Sequence, residues 1–178
     1  MLEHTILAKC KACHKEYEQF QTTQRACSPR CALDLARESI AKKKALETRK
    51  MRSEFRAKDR SYQLKAAQKA FNAYIRARDA DLPCISSGRM TGQRHAGHYK
   101  SIGAFPELRF NEYNVNVQSA KDNAWLSGNI EGYRKGLIEK YGQEIVEYLE
   151  GPHLPQKLDL AEIKAITAKY KRKLKELG

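Results

Sequence analysis

Arg94-His95-Ala96-Gly97-His98-Tyr99 opens the stretch on which the reading of this chain turns. Leu108-Arg109-Phe110, Asn114-Val115-Asn116, Asn123 and Ser127-Gly128-Asn129 follow it. The spacing predicts a short strand around His95–Lys100, a loop over 101–108 holding Gly103 and Pro106, and a second strand over Asn114–Gln118. On that second strand Val115 and Val117 share one face while Asn114 and Asn116 share the other. Asp122 and Asn123 both suit a helix N-cap, so the expected order is β–β–α. The residue types fit phosphodiester hydrolysis. Imidazole titrates near neutral pH and can take a proton from water, which makes His98 the candidate general base. Asn114 would orient its ring without itself titrating. The reaction also needs a cation to neutralise charge building on the phosphate. Each residue has a plainer role in competition: a packed histidine, a turn asparagine, a helix cap.

Working outward, Leu82-Pro83 ends a preceding helix, and Cys84-Ile85-Ser86-Ser87-Gly88-Arg89 reads as a turn into the first strand. The helix before it runs from about Ser61 to Asp79 and carries enough bulk, in Leu64, Phe71, Tyr74 and Ile75, to dock. From Ala32 to about Lys58 there is neither Gly nor Pro, and Ala, Leu, Lys, Arg and Glu dominate, which is strong helix composition. Between Arg37 and Arg60 ten Lys and Arg face only Glu38, Glu47, Glu54 and Asp59. Ile40, Leu46, Met51 and Phe55 form too thin a stripe for a core helix. This arm is either a solvated linker or a surface that tracks a nucleic-acid backbone through Lys42, Lys43, Lys44, Arg49, Arg52 and Arg56. Beyond the central stretch, helices over 129–141 and 143–150 stop at Gly142 and Gly151. Asp159-x-x-Glu162 is a capping-box pattern opening a last helix with Leu160, Ile163, Ile166, Tyr170 and Leu174 on its buried stripe.

At the N-terminus, Cys10-x2-Cys13 and Cys27-x3-Cys31 form two pairs separated by 13 residues. Thiolates at this spacing converge on one tetrahedral zinc, and a unit this small needs the metal to fold. The 178 residues carry 34 Lys and Arg against 21 Asp and Glu, a net charge of +13 that favours a polyanionic partner. No apolar run follows Met1, and no stretch is long and apolar enough to span a bilayer, so a cytoplasmic protein with no membrane partner is expected.

The residues resemble a known family, the NinG (Rap) recombination proteins of lambdoid phages, along nearly the whole chain. The likeness rests on the N-terminal cysteine pairs and the charged helix. It includes Arg76-x-Arg78-Asp79-x-Asp81-Leu82-Pro83-Cys84-Ile85-Ser86 and Ala96-Gly97-His98-Tyr99. It continues through Leu108-Arg109-Phe110-Asn111-Glu112, Ser127-Gly128-Asn129, Tyr133-Arg134 and Leu137-Ile138. The order of histidine and two asparagines is also that of an HNH-type nuclease site. The resemblance implies a metal-dependent endonuclease acting on branched recombination intermediates such as D-loops and Holliday junctions in a bacterial host. It implies His98 as base with Asn114 orienting it, His95 and Asn123 holding Mg²⁺ or Mn²⁺ as catalytic metal, and Arg109 reaching a phosphate. Family members carry a second zinc site, a Cys-x2-Cys pair before the first strand and another before the helix. This chain keeps Cys84 but has Ser87, Ser119 and Asp122 at the other three positions. That is a poor zinc cage, so this metal is expected to be absent, with Cys84 a small buried hydrophobe. His95 stands where the family has Asp, shifting preference from Mg²⁺ towards Mn²⁺ or Zn²⁺, and Trp125 stands where it has His.

The expected fold is mainly α with a small ββα-metal module and an N-terminal zinc finger. Its parts are a finger over 1–35, a basic helical arm over 36–60, and an HNH-like module over 61–178 with its core at 83–130. A homodimer would suit symmetric cutting of a four-way junction, and phage recombination proteins are candidate partners. Two rival readings use the same residues: a non-catalytic zinc-finger DNA-binding accessory protein, and a zinc-finger protein of RNA or transcription.

Overall fold

A computed structural model of the chain describes residues 6–125 and 128–178. Ser127 and the side chain of Trp125 lie outside the described residues. The chain divides into two compact units, Met1–Ala57 and Lys58–Gly178. Among the described residues it is mainly helical, with two small antiparallel sheets. No described helix is long and apolar enough to cross a membrane.

In the first unit, β1 (Ile6–Lys9) pairs antiparallel with β2 (Glu16–Gln19), and α1 follows over Pro29–Lys58. Ser28 starts this helix: its Oγ accepts from the Cys31 N–H, and Pro29 fills the first helical position, where a missing N–H costs nothing. None of the 30 residues of α1 is buried. Ile40, Leu46, Met51 and Phe55 are exposed, as their thin stripe implied.

The second unit is built around one hairpin. The antiparallel pair β3 (Arg94–His98) and β4 (Val115–Ser119) sets His95 opposite Gln118 and His98 opposite Val115. Alternation therefore puts His95 and Gly97 on one face with Asn116 and Gln118, and Ala96 and His98 on the other with Val115 and Val117. The valine face packs on α2 (Arg60–Arg78), which also holds α5 (Leu160–Glu176) through Phe71, Tyr74, Ile75 and Tyr170. Phe71 and Tyr170 meet edge-on at 4.7 Å between ring centroids. The expected capping box of α5 forms with both of its hydrogen bonds. Tyr133 of α3 (Ile130–Tyr141) covers the other face, donating to the Gly97 carbonyl and accepting from the Asn116 N–H. Leu137 extends that cluster to α4 (Gln143–Glu150), and Gly142 and Gly151 stop the two helices as their sequence suggests.

Because both faces of the hairpin are covered, every residue of β4 is buried, the polar ones included. The close approach of α3 depends on two glycines. A Cβ at Gly132 would lie 2.1 Å from the Ser86 carbonyl oxygen, and one at Gly136 2.0 Å from that of Ile85. The expected helix at Asp122–Asn123 is instead one π-helical turn over Lys121–Trp125, and α3 begins only at Ile130. Asp122 is the reason: its carboxylate turns inward to several donors, and the wider turn accommodates it.

One buried carboxylate joins three of these elements. Asp79, 1% exposed, pairs with Arg78 at 2.7 Å and with Lys140 of α3 at 3.0 Å. It also accepts from the Val117 N–H of β4. Burial alone would raise its pKa, but the two cations outweigh burial and hold it below the ordinary value. Asp79→Ala leaves Arg78 and Lys140 without their counter-charge and the Val117 N–H without an acceptor. It should cost about 3–5 kcal/mol, read as a lower denaturation midpoint at unchanged slope.

Candidate functional site

The four N-terminal cysteines come together. Their sulfurs lie within 4.8 Å of one another, with Cys13–Cys27 at 3.6 Å and Cys27–Cys31 at 3.7 Å. Tetrahedral zinc with bonds of about 2.3 Å needs sulfurs about 3.8 Å apart, so the quartet fits. Cys10 and Cys13 sit on a knuckle in which the Cys10 N–H reaches the Lys15 carbonyl and the His14 N–H reaches the Cys10 carbonyl. His14 takes a left-handed φ of 59° to close it. The N–H of Cys13, helped by those of Cys27 and Ala12 against burial, draws the Cys10 thiol down to about 6.

The second unit contains the same knuckle with only one of its two thiols, that of Cys84. The Cys84 N–H reaches the Arg89 carbonyl, the Gly88 N–H reaches the Cys84 carbonyl, and Gly88 has φ 66°. Ser87 stands where Cys13 does in the first. All four positions at which the family's second zinc is expected converge, and the Asp122 carboxylate is their centre. Its Oδ2 accepts from Ser87 at 2.7 Å, from Ser119, and from the Cys84 thiol at 3.4 Å, while Oδ1 accepts from Asn129. Cys84 also accepts from the Ser119 N–H, so it is a hydrogen-bonding member of this knot and more than a small hydrophobe. Burial opposes ionisation of Asp122, but the donors, Ser119 and Ser87 foremost, hold its pKa at about 2.

The hairpin brings some of the predicted site residues together and separates others. His95 Nδ1 and Asn123 Nδ2 meet at 3.2 Å beside Gly97. His98 lies on the opposite face of β3. Its Nε2 bonds the Arg109 carbonyl at 3.1 Å, and a carbonyl can only accept, so in the neutral ring Nδ1 carries the free lone pair. Burial pushes this imidazole below its ordinary 6.5, with the Arg109 carbonyl offsetting only part of the effect. Asn114 does not orient His98. It faces the other way, accepting from the Lys100 N–H and donating to the Lys100 and Leu108 carbonyls, and so closes the loop between the strands. Arg109 takes over the orienting role through its backbone, while its guanidinium bonds Gln68 of α2.

On α1, Lys42, Arg49, Arg52 and Arg56 are exposed and fall on one helical stripe, spaced i, i+7, i+10 and i+14. Lys43 and Lys44 lie on other sides.

A family model described as "Bacteriophage Lambda NinG protein" matches residues 3–178. The chain belongs to the NinG family. It is 41% identical over 200 residues to Protein ninG of Escherichia phage lambda, covering 99% of this chain and 96% of that one. Its identity to Protein ninG of Escherichia phage 933W is 41% over 190 residues, and to that of Salmonella phage P22 40% over 192 residues. These cover 95% of this chain and 92% and 93% of the relatives. No solved structure matches the chain. The NinG resemblance read from the sequence is thereby established, and it extends over both units.

Two outcomes follow for the metal sites. Metal analysis of the purified protein should return one zinc per chain, lost in Cys13→Ser; zinc retained in that variant would place metal on the Asp122 knot instead. A carboxylate with a depressed pKa contributes stability above its unfolded pKa and loses it as pH falls through the folded one. The stability advantage of the parent over Asp122→Asn should therefore be full above about pH 4 and vanish as pH falls from 3.8 to about 2, measured as denaturation midpoints across that range.

Proposed function

We propose that this NinG-family protein is a metal-dependent endonuclease acting on branched DNA formed in phage recombination. The observation that carries the reading is the arrangement around β3. His95 and Asn123 meet on one face; on the other, burial lowers the pKa of His98, whose Nδ1 has no hydrogen-bond partner among the described residues. Among the described residues β3 pairs with β4 alone, so no strand covers its other edge. A phosphate lying across that edge can be approached from both faces. His98 Nδ1 would accept the proton of the attacking water, and the Arg109 carbonyl would steady the resulting imidazolium through Nε2–H. His95 and Asn123 would hold a divalent cation, which when bound neutralises charge on the phosphate and leaving oxygen. The stripe on α1 would bind phosphates regardless of sequence, leaving discrimination to the shape of the branched substrate.

The test is incubation with four-way junctions, D-loops and linear duplex under Mg²⁺, Mn²⁺ and Zn²⁺ separately. His98→Ala should keep junction affinity and lose about two to four orders of magnitude in cutting rate. The parent rate should rise with pH through a value below 6.5 and then level off, because the base acts in its neutral form. His95→Asp should move metal preference from Mn²⁺ towards Mg²⁺. The opposite-face placement of His98 favours one rival, a non-catalytic DNA-binding accessory protein. Junction binding without cutting under any of the metals, unrevived by His95→Asp, would decide for it.

Binding itself should weaken steeply with salt. Replacing Lys42, Arg49, Arg52 and Arg56 by Ala should flatten the log–log salt slope by up to about 3.6 units, at about 0.9 per phosphate contact. Replacing Lys43 and Lys44 should change it less. Equal slopes throughout would make α1 a solvated linker.

A further inference from the structure

A cleft of about 470 Å³ lies between the end of α2, the loop before β4, and the helices α3 and α5. That volume falls in the range of small-ligand clefts, about 300–1,000 Å³. Its walls are largely aromatic, made by Phe110, Tyr113, Tyr141 and Tyr170. Phe110 and Tyr170 belong to the core cluster around Phe71, but Tyr113 is 45% exposed. The backbone of this exposed tyrosine is tied on both sides. Asn111 Oδ1 accepts from the Tyr113 N–H at 2.9 Å, and the Tyr113 carbonyl accepts from Asn116 Nδ2 at 3.0 Å. Its ring meets Tyr141 edge-on at 5.2 Å between centroids, and the Tyr141 hydroxyl donates to Asn116. The ring is thus fixed before anything binds, so ordering it on contact costs little. The charges around the cleft suit an anion. Glu112, the one carboxylate among its described lining residues, is already occupied: Oε1 pairs with Lys173 at 2.6 Å and Oε2 accepts from Tyr74. Arg78 is paired with Asp79. Lys169 is exposed, its Nζ 5.2 Å from the centre of the Tyr170 ring.

We propose that this cleft receives an unpaired nucleobase at the branch of the DNA, stacked against Tyr113, with an adjoining phosphate at Lys169. The assignment rests on the branched-DNA reading and gives it a means of telling a branch from a duplex. Paired bases keep their faces inside the stack, whereas an unpaired base has a face to present to an aromatic ring. Stacking of this kind tolerates any base, so recognition follows structure and not sequence. Phosphate contacts along α1 are equally available on linear DNA and cannot make that distinction. The net charge of +13 favours the same occupant. The cleft also adjoins the proposed chemistry. Phe110 follows Arg109, whose carbonyl holds His98, and Tyr113 lies two residues before Val115, the strand partner of His98.

The experiment uses the full chain with its cysteine quartet zinc-loaded and no Mg²⁺ or Mn²⁺ added, so that binding is read without cutting. Two four-way junctions are compared by fluorescence anisotropy, one fully paired and one with a single unpaired thymine at the branch. The second is also made with iodouracil in place of that thymine, photocrosslinked, and the attached peptide identified by mass spectrometry. Parent protein should prefer the junction with the unpaired base, and the crosslink should fall on Tyr113 or Phe110. Tyr113→Ala should weaken binding to that junction about five-fold or more, while Tyr113→Phe, which keeps the ring, should stay near the parent. Lys169→Ala should flatten the log–log salt slope by about 0.9 units. Should Tyr113→Ala fold poorly, the crosslink in the parent decides. Equal affinity for the two junctions, with a crosslink confined to segments outside the cleft, would overturn the proposal and leave the nuclease reading standing. Failure of the parent to bind either junction would overturn both.

Discussion

Asp79 is the constraint on which the second unit depends. A carboxylate inside a protein is tolerable only with its charge compensated and its lone pairs used, and here Arg78, Lys140 and the Val117 N–H do both. These partners belong to the end of α2, to α3 and to β4. Any slip of β4 by one residue would remove the Val117 N–H from Asp79 and turn the valines away from Phe71 and Ile75. The carboxylate therefore fixes a register more than it adds attraction. With the register fixed, His95 falls opposite Gln118, and α3 can settle against the 85–86 backbone through Gly132 and Gly136.

This packing encloses polar residues, most of which the chain itself satisfies. Asn116 satisfies Arg78, Lys140 and Tyr141 at once, and Asn114 ties the inter-strand loop. Such residues support the hairpin without acting on a substrate. Gln118 differs in that its buried Oε1 has no hydrogen-bond partner among the described residues.

Much of the architecture could be read from local signals. The cysteine pairs, the capping box at Asp159, the glycine stops at Gly142 and Gly151 and the valine face of β4 each depend on a few neighbouring residues, and the structure has them all. What could not be read depends on what packs above. Alternation told that Asn114 and His98 face apart only once the register was known, so the orienting carbonyl of Arg109 was out of reach. Asp122 looked like a helix cap because its three remaining donors come from elsewhere in the chain, at Ser87, Cys84 and Asn129. Gly132 and Gly136, four apart on one helix face, were a signal present in the sequence and passed over.

The twin knuckles lead to a difference in what each unit needs in order to fold. The first is tied through thiols whose geometry suits an ion from the surroundings. The second has the same turn, yet its knot is made from groups the polypeptide already carries, gathered on one carboxylate. Its assembly can begin as soon as Ser119, Asp122 and Asn129 have been synthesised, with no wait for metal delivery. That half of the molecule is held at this turn by its own hydrogen bonds, where the first unit presents a quartet of thiols.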